Sequence, residues 1–166
     1  MAELTPFQTV GPFLSLGLRV GVGDELSRRD GTDRIVITGR LRDGAGTGIP
    51  DGVLEWWHPG WRVIHRTLTD DEGRFTVTID RPGPVPGPDA REQAPHVAVR
   101  VLGRGILTQY LTRMYLADDP RNAADDVLNL VPEQRRHTLI ASATAPNEYR
   151  FDVVVQGADE TVFFDL

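Results

Sequence analysis

Apolar and polar residues alternate with a period of two in one short run after another, and this pattern constrains the chain more than any other feature. In a strand, successive side chains point to opposite faces, so such a run buries one face and wets the other. The pattern predicts strands at "RIVITGRL" (Arg34–Leu41), "VLEWWH" (Val53–His58), "WRVIHRTLT" (Trp61–Thr69), "RFTVTID" (Arg74–Asp80) and "HVAVRVL" (His96–Leu102). It continues in "LTRMYL" (Leu111–Leu116), "HTLIASAT" (His137–Thr144), "YRFDVVVQG" (Tyr149–Gly157) and "TVFFDL" (Thr161–Leu166). Turn clusters rich in Gly, Pro and Asp separate the runs, as in "RDGAGTGIPDG" and "DDEG". Short strands at this spacing predict an all-β chain, a sandwich or barrel. A single short helix is expected in "DDPRNAADDVLNLV", capped by Asp118 or Asp119 with Pro120 in its first turn.

The 166 residues suit one domain, long enough to bury a core without staples. Residues 34–166 are expected to form the sandwich. Residues 1–33 have little sheet periodicity and are expected to form an extended arm followed by a polar loop. The chain has no cysteine, which excludes disulfides and thiolate metal sites. Its formal charge of −6, without a basic stripe, argues against a nucleic-acid binder. No apolar run approaches the roughly 20 residues of a membrane helix, and "MAELTPFQTV" has no basic or apolar leader region. A cytoplasmic location is the expectation.

The chemistry-bearing residues are sparse. The four histidines, His58, His65, His96 and His137, form no His-x-His or His-Glu-x-x-His pair. A chelating partner for His96 on its own strand face would stand at position 98, which is alanine. The carboxylates near it, Asp89 and Glu92, lie in a Pro/Gly-rich loop. His96 is expected to be an interior or rim residue, and the other three to be surface or strand-face residues. No Gly-x-Ser-x-Gly elbow is present, and "GAGTG" is a hairpin loop, lacking the βαβ setting of a phosphate cradle. Trp56 and Trp57 must face opposite sides of their strand. One fills the core, and the other needs cover from the arm or a partner.

The order strand, "D-x-x-G-x-x-I-P-D" turn, strand, "D-x-x-G-x-F" turn, strand resembles carboxypeptidase regulatory-like and collagen-adhesin B-type modules, and it bears on fold more than on function. Six further segments are more specific: "TPFQTVGPF", "LEWWHP", "APHVAVRVLGRGI", "LTRMYLADD", "VLNLVPEQRRHTLIA" and "YRFDVVVQGADETVFFDL". Together, and in this order, they resemble the intradiol ring-cleaving dioxygenases, within them the α-type subunit of the members built from α and β chains. The resemblance implies a β-sandwich of the intradiol type. It implies Fe(III) held by two tyrosines and two histidines, and a catechol-type substrate opened by dioxygen between its hydroxyl-bearing carbons. For protocatechuate the product is 3-carboxy-cis,cis-muconate, a step of aromatic-compound catabolism.

Within that resemblance this chain departs from the iron-binding pattern. Val85 in "PGPVP" stands where a tyrosine ligand is expected, Ala98 replaces the second histidine, and His96 matches the first. Gln93 stands in the place of an arginine, and "HPGWRVIHRTLT" carries no tyrosine. Three of the four ligands are thus lacking, and Val85, His96 and Ala98 form a degenerate pseudo-site without metal. The resemblance then implies Fe(III) on a β subunit, no catalytic residue in this chain by itself, and protocatechuate and dioxygen at the subunit interface. Thr9, Gly11 and Pro12 of the arm and Arg104 of "GRGI" are expected to line that pocket. The loops after His58 and before His96 are shorter than the family's, which implies a smaller interface or a different assembly. The competing reading is a non-catalytic, transthyretin-like sandwich serving as a binding or scaffold module.

Overall fold

The structure is a computed structural model and describes residues 6, 8–11, 13–18, 33–61, 64–87 and 91–165. Its strands are β1 (Arg34–Arg42), β2 (Val53–Trp57), β3 (His65–Leu68), β4 (Arg74–Asp80), β5 (Val85–Pro86), β6 (Glu92–Gln93), β7 (His96–Leu102), β8 (Tyr110–Leu116), β9 (Ile140–Ala145), β10 (Glu148–Arg150) and β11 (Val153–Val154). The hydrogen-bonded path runs β11-β1-β10-β9-β8-β7-β2-β3, with β4 on the other edge of β1 and β5-β6 as a separate hairpin. β9 turns the corner between two layers. Its Ile140 and Ala141 pair with β8 in parallel, while Ser142, Ala143 and Ala145 pair with β10 in antiparallel register. One layer is therefore β3-β2-β7-β8 and the other is built around β1, which gives the predicted all-β sandwich.

The alternation is realised residue by residue. Leu54 and Trp56 of β2, Val97, Val99 and Val101 of β7, and Met114 of β8 point inward and are buried. They meet Ile35, Ile37, Phe75, Val77, Tyr149 and Phe151 from the other layer. Trp56 joins the two, its ring centroid 5.7 Å from Phe75 and 6.4 Å from Phe151. Two aspartates build the turns that interrupt the pattern. Asp43 Oδ1 accepts from the N–H of Ala45 and of Thr47, and Asp70 Oδ1 from the N–H of Glu72 and of Arg74. Gly73 closes the second turn at φ 77°, in the left-handed region that favours glycine.

The local departures have local causes. The helical segment is divided: Pro120–Ala124 is a 3₁₀ turn capped by Asp119, and α2 (Asp126–Leu130) follows with Asp125 as its own cap. Single helical turns also stand at α1 (Leu14–Gly17) and α3 (Glu133–Arg136). The segment expected as a strand at Trp61–Thr69 is shorter, with β3 covering His65–Leu68. His137–Leu139 is a 3₁₀ turn, so the strand there begins at Ile140. "TVFFDL" forms no ladder. It is pinned at separate points, the Thr161 N–H on Val154 O and the Phe164 N–H on Leu111 O. No helix among the described residues is long and apolar enough to cross a membrane. Most of residues 1–33 lie outside the described residues; β1 begins at Arg34.

Candidate functional site

The outer face of β2, β7 and β8 carries the residues whose types suggested chemistry. Because Trp56 faces the core, Glu55 and Trp57 face out, and the cross-strand register aligns Trp57 with Ala98 and Ala98 with Arg113. The next pair on the same face is His96 with Tyr115. The β5-β6 hairpin pairs Val85 with Gln93. Val85, Gln93, His96, Ala98 and Arg113, with Trp57, line one cavity of about 570 Å³. Val85, His96 and Ala98, expected to form the degenerate pseudo-site, thus share one cavity wall with Gln93.

A second small core closes one end of this face. Ala94, Tyr115, Leu128, Val131 and Leu139 are buried together. Asp125 is its polar centre. Its Oδ2 accepts from the Ala94 N–H at 2.8 Å, and its Oδ1 accepts from the Leu128 N–H at 2.8 Å and the Tyr115 hydroxyl at 3.0 Å. Burial pushes the Tyr115 phenol up, so its hydroxyl keeps the proton it donates to Asp125.

His96 is buried beneath the same cover, 5.3 Å from the Tyr115 ring. Its Nδ1 lies 2.8 Å from the Ala94 carbonyl, an acceptor, so Nδ1 carries the proton and donates. Burial first, and then the nearby Arg113 charge, push its pKa down to about 4, against the weaker pull of the Ala94 carbonyl. The folded state holds His96 neutral, whereas the unfolded chain protonates it near pH 6.5. Stability is thus unaffected above pH 6.5 and falls as pH drops from there to about 4, where the loss saturates at about 3 kcal/mol. His96→Gln is expected to flatten this part of the profile. Urea unfolding of both proteins between pH 7 and pH 4 measures it, and parallel profiles would remove His96 as the cause.

His58 and His65 are buried, not surface residues. The His58 Nε2–H donates to Gly83 O at 2.9 Å, and Nδ1 accepts from the Gly60 N–H at 3.0 Å. Trp61 packs between the two imidazoles, 5.4 Å from His58 and 5.1 Å from His65. These rings tie the loop after β2 to β3. His137 is exposed in its 3₁₀ turn. Trp57, the outward tryptophan, stays 46% exposed at the cavity.

The donor set does not fit a ferric ion. Val85 and Ala98 have no donor atom, and one imidazole cannot hold the metal. Among the described residues no three His, Cys, Asp or Glu side chains converge as a metal site would require. Asp89 lies outside the described residues.

Thr9 and Arg104 lie apart from the pseudo-site cavity, both at the turn after β7. The Gly105 N–H donates to Thr9 Oγ1 at 2.8 Å, tying the arm to the turn after β7. Arg104, one residue earlier, pairs with Asp51 of the "IPDG" turn at 3.2 Å. Among the described residues other than its chain neighbours, none has an atom within 4 Å of where a Gly11 side chain would begin. Pro12 lies outside the described residues. Neither Thr9 nor Arg104 lines the pseudo-site cavity. The sequence reading missed Asp51, Arg113, Tyr115 and Asp125. Arg113 was legible, since the alternation that turns Met114 inward turns it outward.

No protein-family profile matches the chain. Individual relatives do. The chain is 39% identical to the protocatechuate 3,4-dioxygenase alpha chain of Burkholderia cepacia, over 98% of this chain and 97% of that one. The alignment spans 196 positions, more than this chain has residues, so the relative carries segments that this chain lacks. The alpha chain of Pseudomonas putida is 33% identical over 98% and 96% of the two chains. The Burkholderia cepacia beta chain is 29% identical over 78% of this chain and 67% of that one. Among solved structures, the dioxygenase domain of a dioxygenase carbohydrate-binding protein fusion from Streptomyces sp. SirexAA-E superposes with a TM-score of 0.60 at 20% identity, covering 78% of this chain and 84% of that one. That likeness shows the fold. The identity to the alpha chains, spread over the whole length of both partners, shows more: this chain belongs to the protocatechuate 3,4-dioxygenase alpha-chain family.

Proposed function

We propose that the chain is the alpha subunit of a hetero-oligomeric protocatechuate 3,4-dioxygenase, in which a β subunit holds Fe(III) and this chain supplies part of the wall around the substrate. The observation that carries the reading is the full-length likeness to alpha chains combined with a candidate site poor in donors: Val85 and Ala98 cannot ligate, which supports a metal held by another chain. A ferric ion in that partner would act as a Lewis acid toward the catecholate. This chain's residues do other work. Arg104 offsets the carboxylate that protocatechuate carries, with a fork of donors matched to its two oxygens. Thr9, Gly11 and Pro12 bring the arm's backbone close to the ring. The Thr9 bond to Gly105 supports this grouping, because it holds the arm beside Arg104. Residues 1–33 act as the arm and residues 34–166 as the sandwich that presents it, in the cytoplasm.

The test is co-expression with a protocatechuate 3,4-dioxygenase beta chain. The chain purified by itself is expected to hold no stoichiometric iron and to leave protocatechuate intact. The co-purified complex is expected to contain iron, to show a tyrosinate-to-iron absorption band and to cleave the ring. Iron bound tightly by the lone chain would overturn the assignment of the metal to the partner. Stable folding with no association would favour a free-standing binding module.

A further inference from the structure

The pseudo-site cavity holds a cation, Arg113, that has no counter-charge among the described residues. Arg113 Nη1 donates to Gln93 Oε1 at 2.8 Å and to the Tyr115 hydroxyl at 3.3 Å, both neutral acceptors. Its guanidinium also lies 5.8 Å from the centre of the Phe164 ring. Among the described residues no carboxylate comes within 4.0 Å of it, although the chain is acidic overall. The contrast with the same sheet face is direct. Arg66 and Arg100, one cross-strand row away, both close on Glu55. Row by row, the face neutralises two arginines and leaves the third facing a cleft.

Most of the rest of the lining is apolar. Trp57, Val85, Ala98, Leu111 and Phe164 form the walls, and the cavity's volume of about 570 Å³ is ample for a single ring with a substituent. Among the described residues Asp165 is the one carboxylate on the wall, and it makes no ion pair with Arg113. Gln93 and Tyr115 fix Nη1, and Asp125 in turn holds the Tyr115 hydroxyl, so the fork is oriented before any ligand arrives. Nε and Nη2 have no partner among the described residues, and they form the donor edge that accepts a carboxylate bidentately.

We propose that this metal-free cavity binds a small planar carboxylate, its ring between the Trp57 and Phe164 sides and its carboxylate on Arg113. The ligand is held without being turned over, since the cavity supplies no metal donor set. This site is separate from Arg104 and stands whether or not that residue meets a substrate.

Equilibrium dialysis of the full chain against benzoate, with benzamide as the uncharged match, tests it. Where the chain is recovered only with a partner, the same measurement is made on that complex and the equivalents lost in each variant are counted. Benzoate is expected to saturate one site in this chain, and benzamide is expected to bind at least about tenfold more weakly. Arg113→Gln is expected to weaken benzoate by a similar factor. Ala98→Phe fills the cavity from the strand facing Arg113 and is expected to abolish the site. If Arg113→Gln lowers the unfolding temperature too far for measurement, Ala98→Phe with the benzamide comparison decides. Equal binding of benzoate and benzamide, no saturation below about 10 mM, or benzoate binding unchanged by Ala98→Phe would each overturn the proposal.

Discussion

Arg104→Ala, introduced into the complex with the β subunit, is expected to raise KM for protocatechuate about ten- to a hundredfold while leaving iron content unchanged. The magnitude is that of a charge-assisted hydrogen bond, about 1.5–3 kcal/mol, at about 1.4 kcal/mol per tenfold. In the isolated chain Arg104 is occupied by Asp51 at 3.2 Å. That contact is no obstacle to the proposed role. The two side chains are 51% and 45% exposed, and an ion pair so open is worth at most about 1 kcal/mol. A substrate carboxylate in a drier interface competes with it easily. Asp51→Asn should therefore leave KM level or lower it slightly, the opposite sign to Arg104→Ala. Steady-state kinetics on the three complexes, with iron measured on each, separates the cases. Unchanged KM in Arg104→Ala removes the residue from the pocket. A fall in iron instead would mean that the substitution had disturbed the assembly.

The sandwich was legible because its layers obey one rule, alternate burial. That rule placed β1, β4 and β7 to within a residue and assigned Trp56 and Trp57 to opposite faces. It failed where single contacts replace ladders. Thr161–Asp165 belongs to no strand and is held by isolated hydrogen bonds, which alternation cannot distinguish from a ladder. The β5-β6 hairpin was hidden in a Pro/Gly-dense loop, where no apolar period exists to be read. His58 and His65 were expected as surface or strand-face residues, but the distant Gly83 carbonyl takes the His58 proton and the Trp61 ring packs against both imidazoles. The candidate site was legible as a set of missing ligands, because valine and alanine exclude coordination from any geometry. The groups present in it were less visible. Arg113 acquires its meaning only when the register sets it opposite Ala98 and the hairpin brings Gln93 to it.

Asp125→Ala is expected to be the most damaging single substitution in the second core, costing about 3 kcal/mol or more. In sequence this residue is one acid among four in "DDPRNAADD", with nothing to set it apart from the expected cap. In the fold it is 1% exposed and accepts three hydrogen bonds. Loss of the helix cap at Leu128 accounts for about 1 kcal/mol. The Ala94 N–H is left buried without a partner, at about 1–3 kcal/mol, and the Tyr115 hydroxyl loses its acceptor in the same stroke. Asp125→Asn should fall between the two. Its Oδ1 can still cap α2 and accept from Tyr115, but its amide nitrogen faces the Ala94 N–H donor to donor. Thermal unfolding of both variants is expected to give that order. The consequence reaches the cavity, since Ala94 carries the carbonyl that fixes the His96 tautomer and Tyr115 carries the hydroxyl that orients Arg113. If Asp125 couples the two cores in this way, the His96 ring signals in an NMR titration shift in Asp125→Asn even under conditions where the variant remains fully folded. A variant that loses stability with those signals unmoved would confine Asp125 to capping.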